Sequence, residues 1–215
     1  MQSLLWIAAI LLAGSLIPSS PTFAAALTPE GGDHEMDAER MMTDVIDDTG
    51  GYVCGIHDGN YVSYPSYEAA VGDNANVVQC GKCGQCSTDH DIGIMRATRE
   101  TLTGTATRCA VTYALAGARV SSNCMRRLVG FSPPCQQCWD ENIRCTYEAC
   151  RRICFRWKTR PWTFPPLPEG ALDPCLQCDE DVCGPAFKAC SGATRRRLGV
   201  ISDINRADSE ICPYV

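Results

Sequence analysis

The chain has 215 residues, a formal net charge of −6 and sixteen cysteines, a length that suits one domain or two small ones. An acidic chain without any RNA- or DNA-binding motif is a poor match for nucleic acid. Gly-x-Ser-x-Gly, phosphate-loop and EF-hand patterns are also absent, which removes the most legible hydrolase, nucleotide and calcium sites.

The first element is an apolar run from Leu4 to Ile17, LLWIAAILLAGSLI. It suits the core of a signal peptide and is too short for a helix across the ~30 Å hydrocarbon layer. Pro18 breaks it, and Pro21-Thr22-Phe23-Ala24-Ala25-Ala26 offers small residues for cleavage after Ala24 or Ala26. No Lys or Arg precedes the run, and a buried helix or a retained anchor are the competing readings. The expectation is a signal peptide over residues 1–24 and a secreted, extracellular product with no membrane span after cleavage. In that compartment an even number of cysteines reads as disulfides, whose connectivity the sequence leaves open.

An acidic arm follows over residues 25–50, with one short helix expected from Glu35 to Val45. Between Leu27 and Asn60 there are nine acids and a single base, Arg40. Residues 51–79 read as a small β-hairpin unit: Tyr52-Val53-Cys54 and Tyr61-Val62-Ser63 flank Asp58-Gly59, a strong two-residue turn signal. Its tyrosines, Tyr52, Tyr61, Tyr64 and Tyr67, suit either stacking on sugar rings or covering the side of a small sheet.

Residues 80–157 form a cysteine-rich helical region. Cys80-Gly81-Lys82-Cys83-Gly84-Gln85-Cys86 opens it, and Ser87 or Thr88 caps a helix beginning near Asp89 and running towards Leu102. Two more helices are expected near Ala106–Ala116 and Val120–Val129, the latter stopped by Gly130. Ser132-Pro133-Pro134 starts a long helix that reaches Trp157. At about 100° per residue its cysteines, Cys135, Cys138, Cys145, Cys150 and Cys154, occupy about half of its surface, as bonding to neighbouring helices requires. A proline-rich linker spans residues 158–172, where Pro161, Pro165, Pro166 and Pro168 exclude a regular helix. Residues 173–215 hold a last helix, started by Asp173-Pro174 and stopped at Ser191-Gly192, and a tail stapled by Cys212. Pro134-Cys135-Gln136-Gln137-Cys138 and Pro174-Cys175-Leu176-Gln177-Cys178 reuse one device without making a solenoid. The fold class expected is mainly α and disulfide-rich, with a small N-terminal β-hairpin.

CGKCGQCSTDHDI, CQQCWDENIRC and CLQCDEDVCGPAFKACSGATRRRLG followed by SDI carry a resemblance to uncharacterised cysteine-rich secreted proteins of microalgae and other protists, over about Tyr61 to Cys212. That resemblance implies a coherent extracellular module and no particular activity.

Fourteen of the sixteen cysteines lie between Cys80 and Cys190, a stretch poor in Leu, Ile, Val and Phe. Cross-links are therefore expected at Cys54, Cys80, Cys83, Cys86, Cys109, Cys124, Cys135, Cys138, Cys145, Cys150, Cys154, Cys175, Cys178, Cys183, Cys190 and Cys212. The Cys-x2-Cys pairs are also zinc, iron–sulfur or redox spacings, but an oxidising compartment and the lack of a βαβ pattern favour staples. No cofactor and no metal is expected. Arg144, Arg151, Arg152, Arg156 and Lys158 form a candidate anion-binding face for an acidic extracellular protein or a sulfated or uronic polysaccharide; the competing reading is a solvated basic surface.

Cys86, His90 and Asp91 share the spacing of secreted phospholipases A2. That resemblance implies His90 as the base on water and Asp91 as a calcium ligand. The chain departs from the family pattern at Gly93, where a cysteine is required, and has no glycine-rich calcium loop upstream. The competing reading is a helix-start pair making a cap. His57-Asp58 falls in the hairpin turn, His34 in the acidic arm, and Arg195-Arg196-Arg197 is either a processing site or a partner for Asp203, Asp208 or Glu210. The function expected is a secreted structural or binding protein of wall, matrix or surface, with a phospholipase A2-like hydrolase as the alternative.

Overall fold

The computed structural model describes residues 49–168, 170–202, 204 and 211–215. The leader, the helix expected over Glu35–Val45, and Asp203, Asp208 and Glu210 lie outside the described residues.

Strands β1 (Val53–His57) and β2 (Asn60–Tyr64) pair antiparallel, with His57 opposite Asn60. The turn is the expected Asp-Gly: Asp58 and Gly59 have φ of 48° and 76°, the double left-handed conformation that matches the twist of a two-residue hairpin. The two-stranded unit expected from sequence is in fact a three-stranded sheet of order β2-β1-β3. Its third strand is β3 (Asn76–Cys80). Helix α1 (Tyr67–Gly72), capped by the Ser66 hydroxyl, bridges β2 to β3. β3 is easy to miss because it offers only Val77-Val78 before running into the first Cys-x2-Cys; a break in register at Cys54/Gly55 also interrupts its pairing with β1.

Four of the tyrosines are engaged within this part of the fold. Tyr64 is buried and donates to Asp73 at 2.6 Å, Tyr67 stacks on Tyr214, Lys82 sits over Tyr52, and the Tyr61 hydroxyl accepts the Asp89 N–H. This is the sheet-covering reading. The hydrogen bond to the Asp73 carboxylate, reinforced by burial, pushes the Tyr64 phenol up to about 12. Because the folded-state value is raised, the stabilisation from this pair is complete below the ordinary phenol pKa of about 10 and is lost as pH rises through about 12. In an ultraviolet titration of the seven tyrosines, the Tyr64 phenolate should appear late, and Tyr64→Phe should remove that late step. Seven titrations near the ordinary value would show that the pair is not formed.

The helical part begins with α2 (Asp89–Ala97), capped by Thr88. It ends five residues short of the expected Leu102, where the chain turns at Thr98 before α3 (Leu102–Ala116). Helix α4 (Ala118–Leu128) returns along α3, joined through Gly117, whose φ of 81° is open to glycine and strained for other residues. The expected long helix is α5 (Pro133–Cys145), a single π turn (Thr146–Cys150) and α6 (Arg151–Thr159). The proline-rich stretch then makes a 3₁₀ turn (Pro161–Thr163) and runs extended, with Phe164 against Trp157 and under Arg156. Asp173 caps α7 (Pro174–Val182), accepting from the N–H groups of Cys175 and Leu176, and α8 (Gly184–Ser191) follows after a break at Cys183.

Eight disulfides join all sixteen cysteines. Cys145–Cys183, Cys150–Cys178 and Cys154–Cys175 form a ladder that ties the π turn and α6 antiparallel to α7. On an ideal α-helix the step from Cys145 to Cys150 turns the side chain by about 140°. The π turn over that interval winds more slowly and brings the two sulfurs to one side. Sequence alone contains no signal for this.

The main core is sulfur-rich. Cys86, Cys109 and Cys135 are buried with Ile92, Met95, Leu102, Met125, Phe131 and Ile143. A smaller cluster, Val53, Tyr64 and Ala70, lies under the sheet. The loop from Cys80 to Cys86 joins the two parts. Its Gly84 backbone packs directly on Gly192, so closely that a Cβ on Gly84 would lie 2.5 Å from the Gly192 nitrogen. That approach lets Gln85 and Cys86 donate to the Cys190 and Ser191 carbonyls at 2.9 and 2.8 Å.

Candidate functional site

His90 and Asp91 occupy the first turn of α2, beside Cys86, which bonds Cys135 at the start of α5. Asp91 is fully buried. It accepts from the Ser132 backbone N–H at 2.7 Å, from the Ser132 hydroxyl at 2.6 Å and from the Thr88 hydroxyl at 2.7 Å. The Thr88 hydroxyl in turn accepts the Asp91 N–H at 3.2 Å. One carboxylate thus serves two helix N-termini, α2 and α5, where negative charge is favoured by the helix dipole. His90 is exposed, and its Nε2–H donates to the Gly130 carbonyl at 3.0 Å. Both oxygens of Asp91 are committed to protein donors, and His90 is tied to a backbone carbonyl. The pair is a cap and clasp, and the geometry gives the phospholipase A2-like alternative no support.

Three of the basic residues singled out on the long helix have close partners. Arg144 pairs with Glu148 at 3.6 Å, Arg151 lies over the Tyr147 ring and Arg156 over the Phe164 ring. Arg195-Arg196-Arg197 leads into a 3₁₀ turn built into the fold. Arg195 donates to the Arg99 carbonyl and to Thr103, Arg196 pairs with Glu180 at 3.3 Å, and the 9%-exposed Arg197 donates to the Gly192 carbonyl at 3.0 Å. A processing protease needs an accessible, extended segment, which this turn does not offer.

Among the described residues, a cleft of about 670 Å³ has room for a ligand. Its floor is apolar: Met95, Leu102, Ala106 and Ala110 from α2 and α3, Trp139 and Ile143 from α5, Phe155 from α6, Leu176 from α7 and Phe187 from α8. Trp139 is held between Phe131 and Phe187, at ring-centroid distances of 5.5 and 4.9 Å. The rim is charged, with Arg151, Arg152, Lys188, Arg195 and Arg196 against Asp179 and Glu180. Asp179 accepts from the Asn142 amide and the Thr146 hydroxyl, which fixes α7 against the π turn. The disulfides Cys154–Cys175 and Cys145–Cys183 set the spacing of two of its walls. Among the described lining side chains there is no histidine and no thiol, since Cys154 and Cys175 are bonded to each other. Sequence reasoning named Arg151 and Arg152 as part of a candidate anion-binding face but missed the cleft. Its floor comes from six helices whose apolar residues carry no common motif.

Residues 118–214 match a family of unknown function (DUF8771). The match covers α4 and the whole disulfide ladder, and leaves out the sheet, α2 and α3. No curated protein and no solved structure matches the chain. Among the described residues no helix is long and apolar enough to cross a membrane.

Proposed function

We propose that the chain is a secreted binding protein whose ligand is a small, mainly apolar molecule with one anionic end, taken up in the cleft. The observation that carries this reading is the cleft itself: about 670 Å³ lies within the ~300–1,000 Å³ typical of small-molecule sites, which are apolar with a few placed polar groups. Two of its walls are cross-linked, so little ordering cost is left for binding. Arg152 at the rim is exposed and has no ion-pair partner among the described residues, which favours an anionic end there. The acids on the rim are engaged by Asn142, Thr146 and Arg196, which favours binding over acid–base catalysis. Secretion is supported by the Leu4–Ile17 leader and by eight disulfides, which persist in oxidising compartments. The resemblance to cysteine-rich secreted proteins points the same way.

The test uses anilinonaphthalene sulfonate fluorescence, with oleate and oleyl alcohol as competitors. Saturable binding is expected, displaced by oleate better than by the neutral alcohol. Ala110→Trp, which fills the floor, and Arg152→Glu, which leaves the core untouched, should each weaken it by roughly tenfold. Near-ultraviolet circular dichroism checks that the variants keep native packing. Dye binding that both folded variants leave unchanged, or no binding by the wild type, would remove the reading.

A further inference from the structure

Residues 101–139 contain Arg108, Arg119, Arg126 and Arg127 and not one Asp or Glu, in a chain whose net charge is −6. The structure orders three of these bases. On α4, Ser121 and Met125 are buried. At about 100° per residue the centre of Arg119, Asn123, Arg126 and Arg127 lies directly opposite, and the four fall within an arc of about 100°. Arg119, Arg126 and Arg127 are exposed, and among the described residues none pairs with a carboxylate. Arg126 donates to Asn123 at 2.6 Å along the same stripe. Asp140 of α5 is engaged by Ser122 of α4, on the flank that packs inward.

The stripe is also fixed in place. Cys109–Cys124 cross-links α3 to α4, and the buried Ser121 hydroxyl donates to the Cys109 carbonyl at 2.9 Å. We propose that this outward stripe of α4 is a docking site for a linear anionic polysaccharide bearing carboxylate or sulfate groups. The chemistry is that of arginine: a planar fork matches a carboxylate or sulfate with two parallel hydrogen bonds, and all the bases here are arginines. The geometry is that of a line: α4 has eleven residues, about 16 Å at 1.5 Å per residue, so successive charged sugars can meet successive guanidinium groups. The net negative charge of the chain does not forbid it, because at physiological ionic strength charges beyond about 8 Å are largely screened. A bilayer is the less favoured occupant. The exposed apolar side chains nearest the stripe, Val120 and Leu128, sit near opposite ends of α4, and isolated aliphatics do not make the continuous apolar face that interfacial helices insert.

The experiment measures binding of the secreted protein to heparin and to polygalacturonate across a salt series, with phosphatidylserine vesicles alongside. Wild type should bind at least one polysaccharide, with log K falling against log salt at a slope of about −2 to −3 for three neutralised charges. Arg119→Ser/Arg126→Ser/Arg127→Ser should lose at least about tenfold in affinity and flatten the slope. Its circular dichroism and its dye binding in the cleft should stay unchanged. Arg96→Ser/Arg99→Ser/Arg160→Ser, which removes the same number of exposed charges elsewhere, should bind within about twofold of wild type. No polysaccharide binding by wild type, an equal loss in both triple variants, or binding to vesicles alone would overturn the proposal.

Discussion

Reduction under native conditions should unfold the helical part of this protein, with loss of most of its helical circular dichroism and of its thermal transition. The main core holds few large aliphatic side chains, and sulfur fills part of it. Each native disulfide contributes about 2–4 kcal/mol, largely by restricting the unfolded chain in the loop-entropy description. Whole domains are stable by only about 5–15 kcal/mol. The ladder of Cys145–Cys183, Cys150–Cys178 and Cys154–Cys175 alone is therefore comparable with the entire margin, even allowing for loops that share residues. Helices α6 and α7 depend on it most, since neither has a buried residue. The sheet has its own small core and is expected to lose order with the release of Cys54–Cys83 and Cys80–Cys212. A narrower form of the test pairs Cys150→Ala with Cys178→Ala, which should lower stability by about 2–4 kcal/mol in denaturant titrations. Reduced protein that kept its helical signal and melted at the same temperature would show that the staples are not what holds the fold.

The second large effect is expected at Asp91. Its carboxylate is buried and holds the Ser132 N–H, the Ser132 hydroxyl and the Thr88 hydroxyl. Asp91→Ala leaves the Ser132 N–H and two hydroxyls without their charged acceptor, and opens a void between the starts of α2 and α5. Hydrogen bonds to a charged group are each worth about 1.5–3 kcal/mol, and orphaned buried donors cost further. A loss of about 3–5 kcal/mol is expected, at the high end of single substitutions. His90→Ala, one residue away, removes a single exposed contact to Gly130 and should change stability by under about 1 kcal/mol. The contrast is the decisive readout. In a hydrolase, His90 would be the sensitive position for rate and Asp91 for calcium affinity; here Asp91 should be the sensitive position for folding and His90 nearly silent. A stability loss at Asp91 under about 1 kcal/mol would show that the clasp between the two helices is not formed.

Much of the local structure was readable before any coordinates. Asp58-Gly59 made the hairpin turn, Thr88 and Asp173 made helix caps, and Gly117 and Gly130 lie where helices end. The half-surface of cysteines on the long helix did bond to its neighbours. These features depend on φ/ψ preferences and side-chain geometry within about one turn of chain, which is why sequence alone determined them. β3 was missed because two valines are too short a signal, and the end of α2 was misplaced because a polar turn at Thr98 separates two helices without a proline or glycine.

The sites belong to the other category. Asp91 meets Ser132 across 41 residues, and the disulfides close separations from 15 to 132 residues. Local propensity is silent about which of many distant partners will be adjacent; that is decided by which helices pack, and by the π turn that aligns Cys145 with Cys150. The cleft floor is assembled from α2, α3, α5, α6, α7 and α8, none of which carries a recognisable part of it. The arginine stripe on α4 was present in the sequence as four bases without an acid, but only the burial of Ser121 and Met125 decided which side faced outward. Composition and spacing thus determined a stapled, mainly helical protein with a small sheet. Tertiary packing decided the pairing of the sulfurs, the structural role of His90 and Asp91, and the two surfaces on which a ligand can be sought.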